Sequence, residues 1–152
     1  MMPSTLESLL RQKRRAATAR PPRAKPAQHE HLSQVAFVDW ARLVRLSDDY
    51  GDVVKGAVVA DYLFAIPNGG FRTKTTAGKL KAEGVKAGVW DMLLPLARCG
   101  QHGLWIEMKA PDGRPSPEQL EWGDKMYHAG YALAVCYSVD DAIRETKAYL
   151  DL

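Results

Sequence analysis

At 152 residues the chain fits one domain of ordinary size, and its 46% of apolar residues suffices for a packed core, which excludes wholesale disorder. No apolar run approaches the ~20 residues of a bilayer span. Leu9 and Leu10 run straight into Arg11, Lys13, Arg14 and Arg15 without the apolar stretch of a secretory leader, so a cytoplasmic protein is expected.

The formal charge of +3 is unevenly spread. Residues 1–28 hold seven Arg/Lys against Glu7, a net of +6, and the remainder carries 14 basic against 17 acidic groups, a net of −3. Residues 1–27 therefore read as a basic N-terminal arm. Its segment Arg20–Pro26 (RPPRAKP) carries three prolines in seven residues, which argues against regular structure and places a domain boundary near Ala27. Such an arm gains affinity for a phosphate backbone by counterion release. A solubilising leader is the equal alternative.

From Glu30 to about Leu46, Val35, Val38, Ala41, Leu43 and Leu46 recur at helical spacing. Asp48, Asp49 and Gly51 suggest a turn, and Val53–Ala60 a poor strand or a loop. Tyr62–Ile66 looks like a strand that stops at the turn Pro67-Asn68-Gly69-Gly70. Thr75 or Thr76 caps a short helix through Glu83, closed by Gly84. Gly88 precedes a buried run, Val89–Leu94, ended by Pro95. Cys99–Gly103 is a turn and Leu104–Lys109 a strand. Ser116 is a good N-cap, with Pro117 at the first helical position and Gln119 three residues on, and that helix should reach Ala129. Tyr131–Tyr137 is a further strand. Ser138 caps a last helix to about Leu150, with Ile143, Lys147 and Leu150 at helical intervals. Hairpin-connected strands followed by a strand–helix–strand crossover predict a small mixed sheet with helices on its faces, of α/β or α+β class. Cys99 and Cys136 match no zinc spacing and are expected as thiols.

Two features of this pattern carry chemistry. In Leu104–Lys109 the side chains of Leu104, Ile106 and Met108 take one face and those of Trp105, Glu107 and Lys109 the other. Alone, the second face reads as a solvated strand surface with a weak ion pair. Asp91, however, interrupts an apolar run, where a charge is costly unless paired or bound to a metal. If the two strands form a hairpin, Asp91 and Glu107 converge. Two carboxylates in one place repel, a divalent cation resolves that, and an oxygen-only donor set favours Mg²⁺ or Mn²⁺. A lysine beside them can orient water or stabilise charge on phosphorus.

The order Asp91, 15 residues, then Glu107-Met108-Lys109 resembles the PD-(D/E)xK nuclease superfamily. Its surroundings resemble more closely the VRR-NUC family, in its small stand-alone phage and prophage form. The blocks are Pro67–Gly70, Leu80–Pro95 (LKAEGVKAGVWDMLLP), His102–Trp122 (HGLWIEMKAPDGRPSPEQLEW) and Ala129–Ile143 (AGYALAVCYSVDDAI), covering about residues 28–150.

The resemblance implies an α/β, restriction-endonuclease-like core and a Mg²⁺- or Mn²⁺-dependent DNA endonuclease, structure-specific on branched DNA such as Holliday junctions and acting as a homodimer. By the same resemblance Asp91 and Glu107 are metal-binding carboxylates, Lys109 is the catalytic lysine and Gln119 completes the motif. Glu30 is a third carboxylate, with Gln34 one helical turn on; an ordinary first-turn acid is the alternative for Glu30. Lys86, Asn68, Arg72, Lys74 and Arg114 are candidate DNA contacts, and Trp40 and Tyr50 candidates for the dimer surface. One departure stands out: the family usually has Pro before the aspartate, and this chain has Trp90. Two rival readings are a DNA-binding module that keeps the fold without turnover, and a nuclease that acts only beside a partner in a phage replication or packaging assembly.

Overall fold

The computed structural model describes residues 26–50, 54–67 and 74–152, with the backbone alone at Asp49 and 74–77. The arm up to residue 25, Asn68, Arg72 and the glycines of the Pro67–Gly70 turn lie outside the described residues, as does the Lys74 side chain.

The elements are α1 (Pro26–Ala41), β1 (Phe64–Ala65), α2 (Lys74–Ala82), β2 (Met92–Leu94), β3 (Leu104–Met108), α3 (Pro117–His128), β4 (Ala132–Cys136) and α4 (Val139–Leu150), with short 3₁₀ turns at Asp48–Tyr50 and Val59–Asp61. Their sequence of types follows the reading above. The boundaries differ at α1 and at the first two strands. Helix α1 starts at Pro26, because a proline at the first helical position gives up an N–H that would be unpaired there anyway. It also stops at Ala41, five residues short of Leu46.

The strands form one sheet in the order β1-β2-β3-β4. β1 and β2 pair antiparallel, as do β2 and β3, whereas β3 and β4 run parallel, joined through α3. The result is a mixed sheet with helices on both faces, an α/β fold. Leu104, Ile106 and Met108 project into the main core with Met92, Leu94, Ala134 and Cys136, where α1 adds Phe37 and Ala41. Helix α4 buries Ala142, Thr146, Tyr149 and Leu150, a stripe at helical intervals, while Lys147 faces solvent. Ser138 caps it by accepting from the Asp141 N–H at 3.1 Å.

The opposite face of the sheet is not solvated. Trp90, Trp105 and Val135 are buried there against Leu93, Leu120, Trp122 and Met126, under α3. Trp105 and Trp122 meet edge to face at 5.6 Å between ring centroids. Glu107, on this covered face, is fully buried. Trp40 and Tyr50 are engaged within the chain: Trp40 stacks on Phe37, Tyr50 lies under the Arg98 guanidinium, and both pack on the core. Among the described residues no helix is long and apolar enough to cross a membrane. Cys99 is exposed and Cys136 buried, and neither is in a disulfide.

Candidate functional site

The β2–β3 register pairs Met92 with Ile106, so one step further Asp91 stands opposite Glu107. The strands thus bring together two carboxylates that 15 residues separate in the chain. The Ile66 N–H donates to the Asp91 carbonyl at 2.7 Å, which ties β1 to the same corner.

Each charged group here is held by the backbone or by a neighbour. Asp91 Oδ2 accepts from the Met108 N–H at 2.9 Å. Glu30, on α1, accepts at Oε1 from the Ala110 N–H at 3.0 Å, just beyond the end of β3. Because α1 begins at Pro26, Glu30 lies past its first turn, so attraction to the helix N-terminus does not explain it. Lys109 Nζ sits 2.6 Å from Glu107 Oε1, and the Gln119 side-chain amide donates to the same oxygen. Gln119 in turn belongs to the α3 capping box: its Oε1 accepts from the Ser116 N–H at 2.9 Å, and its N–H donates to Ser116 Oγ at 3.2 Å. Ser116 is thus a helix cap that also steadies a side chain of this cluster.

The electrostatics follow from burial. Loss of water, then the neighbouring Asp91 charge, push the Glu107 carboxyl up to about 7 despite the Lys109 ammonium. Asp91 is also raised, mainly by burial and further by Glu30, against the Met108 N–H and Lys109. Burial works against the Lys109 ammonium, but its hydrogen bond to Glu107 and the surrounding carboxylates hold it above the usual lysine value.

Glu107 Oε2 is buried and meets no donor in good hydrogen-bond geometry among the described residues, although the Asp91 backbone N–H lies near enough to favour the charged carboxylate. A buried carboxylate oxygen left without a donor is costly, and a hard cation is the partner that suits it. The donor chemistry of Glu107 and Asp91 therefore suits a divalent ion. No three His, Cys, Asp or Glu side chains among the described residues form a ready-made coordination cage; Asp91, Glu30 and Glu107 each have one oxygen held by a donor.

No family model matches the chain, and no curated relative does. Among solved structures it is similar to a VRR_NUC domain protein, with 28% identity, 80% of this chain and 88% of the other covered, and a TM-score of 0.67. The fold is of the VRR-NUC type.

The remaining candidates are placed differently from the five that meet at the sheet. Lys86 is exposed between α2 and β2, and Arg114 is exposed in the loop before α3. Gln34 is half-buried on α1, one turn after Glu30. Lys74 opens α2. Sequence reasoning missed the backbone donors Met108 and Ala110, which carry no side-chain signal. It also treated Trp90 only as a departure from the VRR-NUC pattern, although an indole brings an N–H that can bond a nearby carbonyl.

Proposed function

We propose that this chain is a divalent-metal-dependent DNA endonuclease. The observation that carries the reading is a fully buried Glu107 carboxylate set opposite Asp91 and bound by Lys109 through one oxygen, with no donor in good geometry on the other. Asp91 and Glu107 would hold the ion, with Glu30 as a third carboxylate, and oxygen donors alone select Mg²⁺ or Mn²⁺. When bound, such an ion supplies positive charge against a phosphate and lowers the pKa of water.

The chain's own groups do the rest. Lys109 places an ammonium beside the reacting phosphate, where it orients water or offsets the charge that builds on phosphorus. Gln119 and Lys109 together fix the Glu107 carboxylate through one oxygen. Water adds to phosphorus, one ester P–O bond breaks, and the leaving oxygen takes up a proton, with no covalent enzyme intermediate. Lys86, Arg114, Gln34, Lys74, Asn68 and Arg72 are proposed to contact the DNA backbone, and the basic arm of residues 1–27 to add salt-sensitive affinity to the domain of residues 28–152.

The substrate class proposed is branched DNA, with four-way junctions first, and the chain is proposed to be of phage or prophage type. Symmetric cutting of a junction needs two sites, which a homodimer supplies most simply. The test is cleavage of matched four-way junction, flap, linear duplex and single-stranded DNA in Mg²⁺, Mn²⁺ or EDTA. Paired symmetric cuts that vanish in EDTA are expected; absence of cutting in either metal refutes a nuclease that acts alone and leaves a DNA-binding module or a nuclease that needs a partner.

A further inference from the structure

The segment before Asp91 meets α3 through a contact that none of the motif residues requires. The Trp90 indole N–H donates to the Gln119 carbonyl at 2.8 Å. Trp90 is fully buried beside Trp105 and Val135. In the same layer the indole N–H groups of Trp105 and Trp122 find no acceptor among the described residues, so burial alone does not supply one. Two residues before Trp90, Gly88 has φ +78°, and a Cβ there would run into the Glu118 carbonyl. Residues 88–90 therefore lie directly against the first turn of α3.

Gln119 is pinned on three sides as a result. Its Oε1 and N–H are taken by Ser116, and its carbonyl by Trp90. The one remaining polar group, the side-chain NH₂, reaches Glu107 Oε1.

We propose that Trp90 is a positioning residue: by holding the Gln119 backbone against the Asp91 segment, its indole N–H fixes the Gln119 amide on Glu107, and so fixes which Glu107 oxygen that amide occupies. The proposal rests on the nuclease reading for its effect on rate, and on geometry alone for its effect on Gln119. Trp90 touches no reacting atom and acts only through Gln119.

The test replaces Trp90 by its benzothienyl isostere, in which sulfur takes the place of the N–H and the shape is kept; Trp90→Phe is the companion variant. Two readouts are taken on the full chain. The first is the Gln119 side-chain amide signal in a ¹⁵N-correlated NMR spectrum without metal or DNA, identified by its loss in Gln119→Ala. In the isostere it should move toward the position of a free amide and exchange faster with water. The second is four-way-junction cleavage in Mg²⁺. Its maximal rate should fall about five- to tenfold, as expected for one lost hydrogen bond, with the half-saturating DNA concentration unchanged. In a Gln119→Ala background the isostere should bring no further loss. An unmoved Gln119 signal, or an equal rate loss in both backgrounds, overturns the proposal. If the wild-type chain cuts nothing, the nuclease reading falls and the Gln119 signal alone decides the role of Trp90.

Discussion

Replacing Glu107 by glutamine keeps the outline of the side chain and removes a charge that the metal-free fold carries at a loss. The folded carboxyl titrates at about 7, against 4.5 for the ordinary group. At ~1.4 kcal/mol per pH unit, full ionisation withdraws about 3 kcal/mol of stability. The sign follows from the raised folded value. Below pH 4.5 the neutral carboxyl contributes its full share of stability, and that share is lost as pH climbs through about 7. Urea unfolding in EDTA, run from about pH 4.5 to about pH 8, should therefore show Glu107→Gln gaining on the wild type by about 3 kcal/mol across that window. Added Mg²⁺ should close the gap at high pH by stabilising only the wild type. A stability difference that stays flat with pH would refute the reasoning, because the carboxylate would then not be burdened by burial.

Further perturbations separate chemistry from binding and from folding. Asp91→Ala should abolish cutting while leaving junction binding measurable by gel shift; cleavage persisting at the wild-type rate removes Asp91 from the site. Lys109→Met should lower the maximal rate by about 10²–10³-fold with little change in DNA affinity, as expected when a group that stabilises developing charge is lost. Gly88→Ala combines a left-handed backbone with a clash against the Glu118 carbonyl and should cost about 1–3 kcal/mol in urea unfolding. Deleting residues 1–25 should flatten the salt dependence of DNA binding and leave the maximal cleavage rate intact; an unchanged slope removes the arm from the interface.

Much of the architecture was legible because its signals are local. Ser116, Pro117 and Gln119 mark the start of α3 by hydrogen-bonding chemistry confined to one turn, and the structure shows that capping box. Ser138 does the same for α4. Asp91 stood out as a charge inside an apolar run. The parts that were not legible depend on distant neighbours. Trp105 and Glu107 alternate with core residues, as a solvent-facing strand side does, and only the cover of α3 turns that side into interior. Strand β2 begins at Met92 rather than Val89, while Trp90 is drawn to the Gln119 carbonyl. Strand β1 shrinks to Phe64–Ala65, both exposed at the sheet edge, because pairing with so short a β2 limits its length. Glu30 could be placed only by analogy, since its partner is the Ala110 N–H, 80 residues along the chain.

Helix α1 rests on α4 as well as on β3. The helix that bears Glu30, the first of the cluster to leave a ribosome, thus packs on a helix that follows every group of the cluster in the chain and contributes none to it. A nascent chain halted before Val139 would carry Asp91, Glu107 and Lys109 without the support that aligns Glu30 with them. On the nuclease reading, a full complement of carboxylates then arises only after synthesis of the domain is finished, and unfinished chains present little hazard to nearby DNA.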